Sequence, residues 1–584
     1  MKLLNIKNIL QEIKMDKKRI PDIFTKSSYL EIPFFQRSYV WQEENWLRFI
    51  EDCKDISKNK KNYFFGTYII KQVLTETGAS HGELRRIIDG QQRITTLILF
   101  LLALTNELGC YEKYFKQTFM SYDGEILLEH NHNDKDVFDD LVYNRTISKD
   151  KQEQYSKKLI YQAYIFFKTE IKKDPTMFDV EDILKYVYFV PIDLMPDDDE
   201  QQIFDTINSL GIKLNTAELL KNHLFNRNEI QLYKKYWEPC FEGDDKEFWD
   251  KKVGSRDDRT NIDLFLYSYI NIKNREDIRY KNLFQSYKDY ILKKDFNSSA
   301  EKKENFIKEI IDYANVYRKY INPDIERANL RSNKNSIDRI NILIFSLDTS
   351  TILPYCLYVL LHAEQEECKR ILGYIETYII RRMICHESTK NYSKKFKTFI
   401  NEQIVTFNDF KNKILGDTTD TEDKLPTDEE IEIKSRYNHT NPQAKGILYL
   451  LESGLRNPTK HSTDIKPIIE YDLEHIMPKT WETVYWSLPE DKNTNENRKN
   501  RIEHIGLLGN KTILANGLNK SIKNKDFLTK KEGDGDNFGY DEYAKGLTTF
   551  QFDDLTEWNE DSIEQRQKML IKYILEIWPY DSVR

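Results

Sequence analysis

Apolar residues recur along this chain at two different periods, and the change from one to the other divides it. Over Tyr63-Phe64-Phe65-Gly66-Thr67-Tyr68-Ile69-Ile70 the residues are aromatic or β-branched, which predicts a strand. Arg86-Ile87-Ile88 predicts a second, shorter strand. Asp89-Gly90 is a turn, and Gln91 to Leu104 has a helical pattern. The longest apolar run, Leu97 to Leu104, is far too short to span a membrane and predicts a buried helix. Residues 28–100 therefore look mixed α/β. From about 150 to 400 apolar residues recur at helical spacing between Lys, Glu and Asp, as in Ile340 to Leu361 and Cys368 to Ile384, so the middle should be largely helical. Residues 416–430 are acidic, polar and core-poor, and read as an exposed loop or linker. The expected class is multidomain α+β, with domains at 1–225, 226–430 and 431–584. No internal repeat is visible.

Composition adds limits to this outline. A chain of 584 residues is too long for one core. Apolar residues at 39% suffice for packed cores, while 32% charged residues indicate much wet helix surface. The six cysteines are scattered with no Cys-x-x-Cys, which argues against a disulfide scaffold or cysteine zinc site and for a reducing cytoplasm. The first residues show no signal-peptide pattern. The net charge of −8 does not advertise nucleic-acid binding, although a local basic face can act on an acidic protein. Two local excesses occur. Arg381, Arg382, Lys390, Lys394, Lys395 and Lys397 stand against Glu387, and Lys520, Lys523, Lys525, Lys530 and Lys531 stand against Asp526. The commoner fate of such a cluster is a solvated helix face.

Candidate chemistry concentrates near the end of the chain. Asp472-Leu473-Glu474-His475-Ile476-Met477-Pro478 is followed by Leu508-Gly509-Asn510-Lys511-Thr512 and by Asn519-Lys520. Phosphodiester hydrolysis needs a nucleophilic water, charge stabilisation and close positioning. His475 is the natural general base, because neutral imidazole titrates near working pH. Glu474 and the Asn519 side-chain carbonyl are oxygen donors suited to Mg²⁺ or Mn²⁺. Asn510 can hold the His475 ring in one tautomer. Taken alone, His475 would more often be a satisfied core histidine; the two asparagines in order and the lysines behind them reverse that preference. Lys520, Lys523 and Lys530, with Arg381 and Arg382 further upstream, are candidate DNA contacts. The order acid-His, Asn, Asn-Lys resembles the HNH (ββα-metal) nucleases, here without a structural zinc.

A second constellation lies near the start. Ile88-Asp89-Gly90-Gln91-Gln92-Arg93-Ile94-Thr95-Thr96-Leu97 places polar side chains at a strand-turn-helix junction. Such a junction exposes backbone N–H groups and the positive end of a helix dipole, which suits phosphate. Asp89 can hold a metal or polarise water, Arg93 can neutralise a phosphoryl oxygen, and Thr95 and Thr96 can add hydroxyl donors. Upstream, Pro33 to Trp41 puts Gln36-Arg37 among aromatics. No Gly-x-x-x-x-Gly-Lys-Ser/Thr occurs, which excludes a standard P-loop. The plain alternative is a turn followed by helix-capping residues.

Together the two constellations resemble the GmrSD-type, type IV (modification-dependent) restriction endonucleases. At the N-terminal end the resemblance rests on Pro33-x-x-Gln36-Arg37-x-Tyr39-x-Trp41, Phe65-Gly66-Thr67 and Asp89-Gly90-Gln91-Gln92-Arg93-x-Thr95-Thr96. At the C-terminal end it rests on Glu474-His475-Ile476-Met477-Pro478, Trp481, Ile505 to Asn510, Asn519 and Phe527 with Lys530-Lys531. Phe204 to Lys221 matches a further family element, departing at Leu210, where an arginine is usual, and at Glu218. The resemblance implies a ParB/sulfiredoxin-like N-terminal domain. That domain would bind nucleotide, GTP or ATP, through Gln36, Arg37, Gly66, Asp89, Gly90, Gln91, Gln92, Arg93, Thr95 and Thr96, and hydrolyse it with Asp89 and Arg93. It implies a C-terminal HNH domain with His475 and Asn510 catalytic. The expected whole is a cytoplasmic, nucleotide-regulated, Mg²⁺-dependent DNA endonuclease of prokaryotic anti-phage defence that targets modified phage DNA; a homodimer stays open. The alternatives are a DNA-binding, NTP-sensing regulator with an inactive HNH domain, and an RNA-cleaving abortive-infection effector. Phe34, Phe35, Tyr39 and Trp41 can line a pocket for a flipped base, but core packing is the safer reading.

Overall fold

The computed structural model describes residues 17–26, 28–34, 36–73, 83–145, 147–195, 216–225, 229–254, 259–331, 337–416, 423–456, 464–515, 525–535, 538–543, 547–550, 552 and 555–581. The chain forms two compact units, Met1–Tyr233 and Lys234–Arg584.

The first unit is built on a six-stranded mixed sheet. Its strands are β1 (Lys18–Arg19), β2 (Ser28–Glu31), β3 (Tyr63–Gln72), β4 (Glu83–Asp89), β5 (Leu128–Glu129) and β6 (Val187–Leu194), in the order β1-β6-β3-β4-β2-β5. Strand β3 runs antiparallel to β4 and parallel to β6. Both predicted strands are present, each extended by a few residues. The predicted helix is α2 (Gln91–Glu107), preceded by α1 (Glu43–Asn59) and followed by α3 (Leu159–Lys173). The apolar run Leu97 to Leu104 is wholly buried in α2, as its length required, and packs with Phe49, Ile56 and Phe167 in one core. Gly66 interrupts the pairing of β3 with β6: the register shifts between Phe64 and Gly66, and Gly66 takes φ +127°. Only glycine adopts that backbone without strain.

The second unit is mostly helical. The run Cys368 to Ile384 lies within α7 (Gln365–Ile384). The run Ile340 to Leu361 does not form one helix. A helical segment ends near Ser346, Asp348 takes a left-handed φ of 52°, and α6 (Leu353–His362) starts afresh with Pro354 in its first turn. Proline lacks the N–H that a helix interior needs but is well suited to a helix start. Earlier in the unit lie α4 (Asn261–Lys273) and α5 (Ala300–Tyr320); after α7 come α8 (Asn441–Leu455), α9 (Asn495–Gly506), α10 (Phe527–Glu532) and α11 (Glu560–Ile577). Of the expected linker, Thr427 already caps a short helix, Asp428–Lys434, with Glu430 returning the bond. Four short strands form two antiparallel pairs, β7 (Leu330–Arg331) with β8 (Asp464–Ile465) and β9 (Tyr471–His475) with β10 (Lys511–Ala515). One buried network ties the helices to one another. Arg339 donates to both carboxylate oxygens of Glu376 on α7 and to Leu450 O on α8 at 3.0 Å, while Trp578 Nε1 donates to Glu376 at 2.7 Å. No helix among the described residues is long and apolar enough to cross a membrane.

Candidate functional sites

In the first unit the β4–α2 junction gathers residues far apart in sequence. Gly90 caps α2 with φ +98°, and no side chain caps the first-turn amides. Those amides and the helix dipole favour an anion. A Cβ on Gly90 would lie 2.7 Å from Tyr68 Cβ, so the turn admits no larger residue without displacement. Arg93 donates to Thr67 O at 2.6 Å and to Asp89 Oδ2 at 3.3 Å, and its stem lies against Gly66, where a Cβ would come within 3.0 Å of Nε. Asp89 and Arg93 are both partly exposed. Arg37 is half-buried. Gln91 is buried, donates to Gln36 Oε1 at 3.3 Å, and leaves its own Oε1 with no hydrogen-bond partner.

The other motif residues face inward. Gln92 Oε1 accepts from Val40 N at 2.9 Å, and Nε2 donates to Ser38 O at 3.4 Å. Thr96 Oγ1 shares a 2.6 Å bond with Tyr39 OH, which also accepts from Trp46 Nε1 at 3.0 Å. Thr95 Oγ1 bonds His130 Nε2 at 2.9 Å. Thr95 and Thr96 are thus fully engaged inside the unit rather than presented as donors to a phosphate. Tyr39 and Phe34 are core residues, as the safer reading had it, and Phe35 lies outside the described residues.

The sequence reading missed His130, Asn131 and Asp134. Asn131 Oδ1 accepts from the amides of Asn133 and Asp134, Asp134 Oδ2 accepts from Tyr39 N at 2.6 Å, and His132 N donates to Phe34 O at 3.2 Å. Burial pushes His130 down to about 3, with Lys135 adding, so the ring is neutral. Burial also raises the Asp134 carboxyl, against the bonds it accepts. The available signal was Asn131-x-x-Asp134 ahead of a helix, an Asx-turn pattern.

In the second unit β9 carries Glu474 and His475. Successive side chains on a strand leave opposite faces. Glu474 goes inward: Oε1 accepts from Lys530 Nζ at 2.7 Å and from Tyr540 OH at 3.0 Å. Burial raises its pKa, against the lowering by Lys530, Tyr540 and the His475 amide. His475 goes the other way, beside Lys511, its direct partner on β10. Its Nε2 is buried with no hydrogen-bond partner. Burial, with Lys511, Lys479 and Lys530 adding, pushes His475 down to about 4. The Lys511 ammonium donates to Asn438 Oδ1 at 2.9 Å and His439 O at 3.2 Å, and burial pushes it down to about 8.

Asn510 does not hold the His475 ring. Its Oδ1 accepts from Met477 N at 2.8 Å and Trp558 Nε1 at 3.0 Å, and its Nδ2 donates to Met477 O at 2.8 Å and Ile505 O at 3.2 Å. It brackets the backbone that follows β9. Behind it, Arg566 donates to Gly509 O and Lys511 O at 2.7 Å each, and Gln567 accepts from Gly509 N at 2.7 Å. These residues were also missed. Their signal was two polar residues in the apolar stripe of α11, between Ile563 and Leu570.

Asn519, Lys520 and Lys523 lie outside the described residues. Among the described residues no cluster of His, Cys, Asp and Glu can hold a metal ion, and Glu474 is already bonded to an ammonium and a phenol. The expected pairing of Glu474 with Asn519 therefore lies outside the described residues. Three of the candidate DNA contacts are placed elsewhere too. Lys530 is buried on Glu474. Arg381 is fully buried and donates to Pro426 O, Trp578 O and Asp428, and Arg382, equally buried, donates to Lys424 O and Ser388 O. In this structure these cations neutralise the chain's own carbonyls and carboxylates, where a phosphate backbone does not reach them.

Comparison with known families places both halves. Residues 20–225 match the model for the GmrSD restriction endonuclease N-terminal domain, and residues 421–573 match that for the GmrSD restriction endonucleases' C-terminal domain. No individual curated protein matches the chain. The two matched segments together cover more than half of the sequence and contain both constellations in their expected order, so the chain belongs to the GmrSD restriction endonuclease family.

Proposed function

We propose that this restriction endonuclease of phage defence cuts modified phage DNA under nucleotide control, with His475 as its general base. The observation that carries the reading is the His475 ring. Burial pushes it down to about 4, below the working range expected from the sequence, so it is neutral at pH 7, and its Nε2 has no hydrogen-bond partner and keeps a lone pair for the proton of a water brought in with the substrate. In the reaction the water oxygen bonds to phosphorus, the water proton passes to His475 Nε2, and the P–O bond to the leaving sugar breaks, its oxygen keeping the bonding pair and taking a proton from solvent. Asn510 contributes by holding Met477 and Ile505 so that the end of β9 keeps its path. Cleavage is expected to require Mg²⁺ or Mn²⁺, within an HNH-type domain.

The β4–α2 junction is the proposed NTP site of a ParB/sulfiredoxin-like domain. Uncapped amides of α2, the Arg93 guanidinium and the unpartnered Gln91 Oε1 surround one turn. Arg93 answers a phosphoryl charge, and Asp89, bonded to it, is placed to polarise a water. GTP and ATP both fit this chemistry, and the proposed setting is the cytoplasm.

Plasmid nicking by the full chain, with and without NTP and Mg²⁺, tests the reading. His475→Ala should abolish cleavage while nucleotide binding persists; continued cutting overturns the assignment. Asp89→Ala should abolish NTP hydrolysis. One observation favours a second reading, a DNA-binding NTP sensor with a silent nuclease centre: Glu474 is occupied by Lys530 and Tyr540. Absence of metal-dependent nicking by the wild type on every DNA tried would select it.

A further inference from the structure

The acid before His475 occupies the position where an HNH centre is expected to supply a metal-binding carboxylate, yet its surroundings describe a different job. Lys530 Nζ has three N–H bonds to give, and three oxygens receive them: Glu474 Oε1 at 2.7 Å, Ile476 O at 3.0 Å and His475 O at 3.3 Å. Tyr540 OH donates to the same Glu474 oxygen at 3.0 Å. Lys530 is fully buried and Glu474 is 5% exposed, so the ion pair, helped by Tyr540 and the two carbonyls, is what offsets the burial of both charges. The ammonium ties the carboxylate of one strand residue to the carbonyls of the next two. Those carbonyls belong to the reacting histidine and to the residue whose amide donates to Asn510 O at 2.9 Å.

We propose that Glu474, Lys530 and Tyr540 form an internal clasp that positions the His475 backbone, and that Glu474 is a counter-ion rather than a metal ligand. The clasp comes from α10 and the short helix Tyr540–Tyr543, so it pins two later segments onto the end of β9. A divalent cation on this carboxylate would sit beside the buried Lys530 ammonium, and the two like charges would repel each other where little water screens them. Both side-chain bonds fall on Oε1, and the positive charge that a cation would bring is already there.

The experiment uses the full-length chain and three variants, Glu474→Gln, Tyr540→Phe and Glu474→Gln/Lys530→Met. Glu474→Gln should lower the unfolding temperature by several degrees, because it leaves a buried ammonium unpaired. The double variant should recover most of that loss, and Tyr540→Phe should lose less than Glu474→Gln. A double variant no more stable than Glu474→Gln overturns the clasp. Millimolar Mn²⁺ should change the unfolding temperature of wild type and Glu474→Gln by the same amount, zero included. A Mn²⁺ shift present in wild type and absent in Glu474→Gln makes the carboxylate a ligand and overturns the proposal. At a temperature where all are folded, the double variant should show kcat for DNA cleavage reduced about tenfold or more with KM unchanged. Full wild-type kcat would reduce the clasp to a structural pair. Only this last arm rests on His475 being the base; the two unfolding arms stand if that reading fails.

Discussion

Replacing Asn510 by alanine separates two roles that the same residue can play. If Asn510 oriented the His475 ring, its loss would stop cleavage and leave the fold alone. In the structure all four of its side-chain bonds go elsewhere, to Met477 N, Met477 O, Ile505 O and Trp558 Nε1. Asn510 has no exposed surface. Alanine would strand two donors and two acceptors where water must enter to reach them. An unsatisfied buried polar group costs about 1–3 kcal/mol. The four are adjacent, and a water filling the vacated volume would recover part of the loss, so the sum is about 3–5 kcal/mol. For a unit this large 1 kcal/mol moves the midpoint by roughly 2 °C, which gives a fall of about 6–10 °C. Calorimetry on the full chain measures it, with plasmid nicking read at a temperature where the variant is folded. Cleavage should fall in step with the disordering of the turn after β9. An unfolding temperature within 2 °C or so of wild type, together with complete loss of cleavage, would refute the bracket and restore the ring-orienting role.

Gly90→Ala should cost about 2–4 kcal/mol, combining a left-handed alanine with the close approach to Tyr68, and should weaken nucleotide binding about tenfold or more by moving the first turn of α2; unchanged nucleotide affinity by calorimetric titration would move the site elsewhere. His130 titrates near 3 when folded against about 6.5 unfolded. Its folded pKa is depressed, so its contribution is full above about pH 6.5 and drains away as pH falls toward 3; between pH 7 and 4.5 the loss is about 2–3 kcal/mol. His130→Gln keeps a polar partner for Thr95 and cannot take up a proton there, so urea unfolding at the two pH values should show a smaller difference than in wild type. Arg381→Ala should destabilise by about 3–5 kcal/mol through Pro426 O, Trp578 O and Asp428, while the dependence of DNA binding on salt concentration stays as in wild type; a salt slope lower by about one unit would return Arg381 to the DNA interface.

The parts of this fold that are legible in the sequence are those written in local chemistry. Strand β3 is legible because its aromatic and β-branched residues suit a pleated, half-buried surface. Helix α2 is legible because eight apolar residues in a row must be buried all round. The turn at Asp89-Gly90 follows from a backbone that only glycine tolerates. What is not written locally is convergence. Tyr39 meets Asp134 across 95 positions, and His130 meets Thr95 across 35. The break at Asp348 was legible but passed over: Asp348-Thr349-Ser350-Thr351 interrupts the apolar spacing and Pro354 marks a fresh helix start.

Charge was the least legible quantity, and the reason is physical. A turn or strand end turned inward exposes carbonyl oxygens that no helix or sheet satisfies, and a guanidinium or ammonium is the densest donor available to them. Arg381, Arg382, Lys530 and Arg566 are all spent this way, and Lys511 and Lys395 likewise donate to carbonyl oxygens. Among the described residues both basic clusters that looked like phosphate contacts are therefore depleted. In residues 381–397 Arg381, Arg382, Lys395 and Lys397 are buried, and in residues 520–531 Lys530 and Lys531 are buried while Lys525 pairs with Asp534. Withdrawing these cations leaves a surface that is more acidic than the two clusters suggested. Each neutralised phosphate contributes about 0.9 to the slope of log affinity against log salt, and cations withdrawn into the fold add nothing to it. On the proposed reading, specific affinity draws on shape and on cations other than Arg381, Arg382 and Lys530.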